Sequence, residues 1–246
     1  MKQLVFHHIP KCAGMSLVMG LAVSYYPVQL IRYGKKGFTG RLNARAAHET
    51  AGTRGLDDYA LRREILHYQL EWADAPFISG HYPFCPQAYE SFKDEWDFVT
   101  VLRDPVTRWY SEYDWNRYKD HDYKKTDLDI EGYFETPQGQ EDARLYMNFF
   151  VPREHKSAPA SQEDLNAAKI AIEGFTVIGD VKNMDGFKAR MKRVYGRKPW
   201  IPNRNSSPAP DGQKTIPDKN SDFHKKLVQT MEADIEFYNH AKALMK

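Results

Sequence analysis

The residues best equipped for chemistry lie in "HIPKCAGMS" (8–16), where an apolar run gives way to lysine, small residues and serine. Lys11 brings a full positive charge and Ser16 a hydroxyl donor. Ala13 and Gly14 are small enough for a bound group to approach the backbone. A helix starting near Gly14 adds its first N–H groups and the positive end of its dipole. The combination suits a phosphate-like anion. It is not a Walker A loop, GxxxxGK[ST], because the lysine precedes the glycine. An ordinary strand-to-helix turn with a surface lysine has the same composition, so this stretch alone leaves two readings open.

A second anion-binding candidate is "FVTVLRDPVTRWYSEY" (98–113). Arg103 follows a β-branched run, and its guanidinium can grip a phosphate through two parallel hydrogen bonds. Asp104 can cap the next helix, with Pro105 in its first turn, where the missing N–H costs nothing. Ser111 lies eight residues beyond Arg103, too far for a shared helical face but within reach of one bound group if the turn folds back. Pairing of Arg103 with Asp104 or another carboxylate is the plain alternative. His81 closes the short apolar run in "FISGHYPF" (77–84). An imidazole titrates near neutral pH and could act as a general base, but its neighbours alone favour a core or supporting histidine. The other histidines (His7, His8, His48, His67, His121, His155, His224, His240) show no metal-ligand spacing, so no metal site is expected. Cys12 and Cys85 form neither a metal pattern nor a disulfide framework, which suits a reducing cytoplasm.

These residues need a scaffold, and the apolar pattern supplies one. Short apolar runs at 4–9, 76–80, 98–102 and 175–178 read as buried parallel strands. Helical patterns lie at 16–25, 56–72, 106–118, 141–150, 165–173, 185–195 and 222–244. Ser161 and Asp164 resemble a capping box opening the fifth of these. Strands alternating with helices imply an α/β fold with a mainly parallel central sheet flanked by helices. The carboxyl edge of such a sheet is where its ligands bind, and Lys11 and Arg103 both fall there. Nothing marks a boundary within the 246 residues, so one domain is expected. Lys plus Arg (35) against Asp plus Glu (33) leaves +2, too balanced for wholesale nucleic-acid binding. No signal-peptide pattern opens the chain, and no apolar run approaches the roughly 18 residues of a membrane span. A cytoplasmic protein is the expectation.

Together the stretches resemble a known family. "PKCAGMS" (10–16) is similar to the loop, usually PKTAGTS, that holds the 5′-phosphosulfate in carbohydrate sulfotransferases dependent on 3′-phosphoadenosine 5′-phosphosulfate (PAPS). The type is heparan sulfate 2-O-sulfotransferase with its bacterial relatives. "RDPVTRWYSEY" (103–113) is similar to that family's 3′-phosphate motif, RDPxxRxxSxY. "FISGHYPF" resembles the strand carrying its catalytic histidine. "FTVIGDVKNMDGF" (175–187) resembles its late strand, usually ending VG-x-x-E, and "IPNRNSSP" (201–208) its nucleotide-covering loop. The resemblance implies a P-loop-NTPase-like three-layer fold, with PAPS as cofactor and PAP as product. It implies cofactor contacts from Lys11, Cys12, Ala13, Gly14, Met15, Ser16, Arg103, Ser111 and Arg204, and catalysis by Lys11 and His81. A sulfuryl group would pass by in-line displacement to a hydroxyl or an amine, without a metal. Cys12 and Met15 stand where the family has threonines, removing two hydroxyls and leaving backbone N–H groups to serve. Asp180 falls one residue before the usual acid.

The acceptor is less legible. The family's substrates are mostly glycans, which implies a carbohydrate or other small acceptor. Residues 32–54 hold Arg32, Lys35, Lys36, Arg41, Arg45 and Arg54 against Glu49 alone. Such a run reads first as a solvated, mobile loop and second as a landing site for an anionic acceptor. Residues 203–218 read as a long loop that could cover the site. Of Trp109, Tyr110, Tyr113, Trp115 and Tyr118, helical spacing assigns most to the core. A P-loop kinase-like enzyme would need Mg²⁺ ligands and a lysine after the glycine, and the sequence offers neither. A nucleotide-binding module without catalysis fits poorly with the presence of both Lys11 and His81.

Overall fold

The computed structural model describes residues 2–33, 42–72, 75–202, 209–210, 213, 215 and 217–245. Four strands, β1 (Gln3–His7), β2 (Phe77–Gly80), β3 (Trp96–Leu102) and β4 (Val177–Asp180), form an all-parallel sheet in the order β2-β1-β3-β4. All four apolar runs expected to be strands are therefore strands of one sheet. Each is apolar on both sides because both faces are covered. Val5, Ile78, Phe98 and Ile178 point into one apolar cluster, and Leu4, Phe77, Val99 and Val177 into another.

The first face is covered by α4 (Asp58–Trp72), α5 (Pro86–Phe92), α9 (Leu145–Phe150), α10 (Gln162–Glu173) and α13 (Glu232–Leu244). The second face is covered by α1 (Gly14–Tyr25) and α11 (Met184–Tyr195). A third cluster lies behind α6 (Pro105–Tyr118), built with α7 (Ile130–Phe134), α8 (Pro137–Ala143) and α12 (Asp222–Thr230). Short α2 (Pro27–Tyr33) and α3 (Ala44–Arg54) fill the connection from β1 to β2. The expected capping box is present on α10: Ser161 Oγ accepts from Asp164 N–H, and Asp164 accepts from Ser161 N–H.

Three expectations change. Part of the basic segment is helix α3, capped by Asn43 and closed by Gly55 in a left-handed turn, rather than a mobile loop. The pattern at 222–244 bends at Met231, because α12 packs into the cluster behind α6 while α13 packs against the sheet. The pattern at 141–150 is broken at Arg144. The helical bond from Tyr146 N–H to the Asp142 carbonyl is replaced at both ends. Buried Arg108 donates to the Asp142 carbonyl, and Tyr146 N–H donates to Asp234 Oδ1 at 2.6 Å.

The strand order decides where a ligand fits. From β1 the chain goes to β2 on one side, and β3 pairs on the other. The carboxyl ends of β1 and β3 thus border the crevice that open α/β sheets use for binding. No helix among the described residues is long and apolar enough to cross a membrane.

Candidate active site

The loop after β1 is held in an unusual shape. Lys11 (φ 63°) and Ala13 (φ 59°) both adopt the left-handed conformation, at a cost of about 1 kcal/mol or more each. Cys12 N–H donates to the Ile9 carbonyl (3.3 Å), and α1 begins its ladder with Leu17 N–H to the Ala13 carbonyl (3.2 Å). The first-turn N–H groups of α1 therefore point out of its end. A left-handed residue followed by a helical one curls successive N–H groups into a concavity suited to anions. A Cβ at Gly14 would land on the His8 imidazole, so any larger residue here would have to displace that ring.

The loop after β3 faces the same space. Arg103 Nη1 donates to the Lys11 carbonyl (3.3 Å) and Nε to Thr107 Oγ1 (3.4 Å). Asp104 caps α6 by accepting from Thr107 N–H (2.9 Å) instead of pairing with Arg103. Arg103 precedes α6, whose N-cap is Asp104, while Thr107, Ser111 and Trp115 recur every four residues along the helix, and all four line one cleft. Lys11 Nζ sits 4.1 Å from the Trp115 ring centroid, a cation–π contact. Burial pulls the Lys11 ammonium below its ordinary range, with nearby Glu112 acting the other way.

His81 leaves the end of β2 into the same cleft. Its Nδ1 lies 2.6 Å from the His8 carbonyl. A carbonyl only accepts, so Nδ1 carries the proton and the lone pair is on Nε2. Arg62 Nη1 donates to the His81 carbonyl (2.9 Å), and the His8 ring lies 4.1 Å from the His81 ring, centroid to centroid. His7 is a buried core residue instead. It donates to the Tyr82 carbonyl (3.0 Å), and burial pulls it down to about 4.

Lys11, Ala13, Gly14, Met15, Ser16, His81, Arg103 and Ser111 all line one cleft of about 780 Å³. Cys12 does not. It is 1% exposed beneath the loop, with its thiol 3.9 Å from Tyr146 Oη and pushed up to about 11 by burial. With its N–H bonded to Ile9, Cys12 shapes the loop rather than facing the cleft. Arg204, Lys35, Lys36 and Arg41 lie outside the described residues, as does most of the covering segment 203–218. Thr215, at its far end, bonds Asp114 of α6 through its hydroxyl (2.6 Å). Asp180 caps the turn after β4, accepting from Lys182 N–H (2.9 Å) and Tyr238 Oη (2.8 Å).

The sequence reading missed much of the cleft's charge. Arg62, Lys119, Lys124 and Lys182 line it, with Glu112 and Asp142 as the acids. Lys119 Nζ donates to Asn116 Oδ1 (2.7 Å), and burial pulls it down to about 8. Burial alone would lower Lys124, but Asp142, Tyr59 and Tyr123 outweigh it and raise it. The i+4 and i+8 positions after Ser111, Trp115 and Lys119, could have been found from helical period alone. Arg62 and Lys124 carry no local signal. Trp109, Tyr110 and Tyr113 are core, as helical spacing predicts, whereas Trp115 faces the cleft.

No protein-family model matches the chain, and no curated protein matches it.

Proposed function

We propose that this chain transfers a sulfuryl group from PAPS to a hydroxyl, or an amine, of an acceptor, and that the acceptor is a carbohydrate. One observation carries the reading: the loops after β1 and β3, each with an anion-binding composition, open into a single cleft whose wall includes His81. The cleft fits a doubly phosphorylated nucleotide in kind. It has a concave loop with a lysine and a helix N-terminus at one place, and a guanidinium and a hydroxyl at another. Its parallel sheet and glycine-containing first loop support a P-loop-NTPase-like fold.

PAPS supplies the sulfuryl group and, in its 5′-phosphate, the leaving group. Lys11, the first N–H groups of α1 and Ser16 stabilise the negative charge that grows on the departing phosphate oxygen. Arg103 and Ser111 hold the 3′-phosphate. His81 Nε2 takes the proton that the acceptor loses as it attacks. The His8 carbonyl, already accepting from Nδ1, then stabilises the imidazolium and keeps the ring oriented.

Calorimetric titration with adenosine 3′,5′-bisphosphate tests the binding half, and a single turnover with radiolabelled PAPS and a panel of sugars tests the chemistry. The bisphosphate is expected to bind and to displace PAPS, whereas ATP with Mg²⁺ is not. Tighter binding of ATP with Mg²⁺ would point to a kinase-like enzyme. Binding without label transfer to any sugar or amine would leave a nucleotide-binding module.

A further inference from the structure

We infer that Tyr146 is a positioning residue that locks Arg103 in place and ties its loop to the loop after β1, an assignment that rests on the sulfuryl-transfer reading. Tyr146 is fully buried, so its hydroxyl touches neither donor nor acceptor. The hydroxyl donates its one proton to the Arg103 carbonyl and accepts from Arg103 N–H (2.9 Å). With that proton committed, the remaining lone pair faces the Cys12 thiol at 3.9 Å, a weak contact with the other loop. Both main-chain groups of Arg103 thus bond to one side-chain atom. The guanidinium moves only by its side-chain torsions, and these are restrained in turn by Thr107 and the Lys11 carbonyl.

The fold makes an exception to hold this tyrosine. Tyr146 stands just beyond the break at Arg144, and its N–H is taken by Asp234 of α13 instead of continuing the helix. Its ring also packs on Phe237 of α13, with centroids 5.5 Å apart. A continuous helix over 137–150 would satisfy the same backbone groups without help from Arg108 or Asp234. The broken one sets the tyrosine hydroxyl between the two loops. Neither bonding partner of that hydroxyl is visible in the sequence around position 146.

The test is a ratio of affinities measured by titration calorimetry. Adenosine 3′,5′-bisphosphate and adenosine 5′-monophosphate share the 5′-phosphate and differ in the 3′-phosphate assigned to Arg103. In Tyr146→Phe the ring stays and two hydrogen bonds go, so the preference for the bisphosphate is expected to fall by about 10-fold or more, with a much smaller change for the monophosphate. A purely structural role for Tyr146 would lower the melting temperature and leave the ratio unchanged, and that result overturns the assignment. Asp234→Ala cuts the same anchor from the far side and serves should Tyr146→Phe not fold. It is expected to reduce the ratio in the same direction by a smaller factor, and an unchanged ratio there also overturns the assignment. Asp234→Asn, which keeps an oxygen toward Tyr146 N–H, is expected to preserve the ratio. Wild-type protein that binds the two nucleotides equally would overturn the 3′-phosphate role of Arg103, and with it this assignment. That outcome differs from a wild-type preference that survives Tyr146→Phe.

Discussion

At His81 a single backbone oxygen decides which nitrogen carries the proton, because the His8 carbonyl accepts from Nδ1 and leaves the lone pair on Nε2. Replacing His81 with Ala is expected to cut turnover by about 10²–10⁴ while nucleotide affinity stays close to wild type, as read by steady-state rates and calorimetry. Wild-type turnover in that variant would remove His81 from the mechanism. Lys11→Ala is expected to lower turnover by about 10²–10³, the usual effect of losing one donor aimed at developing charge. Gly14 makes a quieter prediction. An added methyl would displace the His8 ring, and the His8 ring lies against His81. Since a side-chain end can shift cheaply, Gly14→Ala is expected to keep its melting temperature within a few degrees while losing about 10-fold or more in turnover. Large losses of both would show that Gly14 serves folding instead.

Among the elements, α3 shows how charge can hide a helix. Its residues Arg45 and Arg54 read as part of a basic loop, yet the run is rich in alanine, with Asn at one end and Gly at the other. Asn43 Oδ1 accepts from Ala46 N–H (3.1 Å), and Ala47 and Ala51 are buried. Asn43→Ala is expected to cost about 0.5–2 kcal/mol in urea denaturation. No measurable loss would mean that α3 frays without consequence for the rest of the fold. The break between α8 and α9 has the opposite character. Nothing in "DARLYMNFF" interrupts a helical pattern, and the interruption comes from Arg108 and Asp234, far away in the chain.

For the molecule as a whole, a net charge of +2 conceals an uneven distribution, with six lysines and arginines against two acids along one cleft. Such concentration favours anionic ligands without requiring a basic protein. Global stability carries a second electrostatic signature, at Asp234. Burial raises this carboxyl to about 7, only partly offset by Tyr146 N–H and the nearby Arg108 and Arg144. A carboxyl with a folded value above its unfolded one binds more protons when folded. Its contribution is therefore present at low pH and lost as pH rises from its ordinary value of 3.8 through about 7. Asp234→Asn is expected to gain melting temperature relative to wild type between pH 5 and pH 8. A difference that stays constant over that range would show that Asp234 does not carry the effect.

The four strands, the capping box on α10 and the positions of the loops after β1 and β3 could be read directly, because apolar period, capping residues and Gly or Pro punctuation act within a few positions of chain. Lys11, Arg103, Ser111 and His81 were likewise recognisable by type and local context. That they share one cleft follows from the β2-β1-β3-β4 order, which no local pattern encodes. The inward turn of Cys12, the cations Arg62 and Lys124, and the tether at Tyr146 come from contacts across tens of residues of chain. Short-range conformational preferences sum along a sequence, but hydrogen bonds and burial between distant segments exist only once the chain has closed on itself, and those decided the shape of the site.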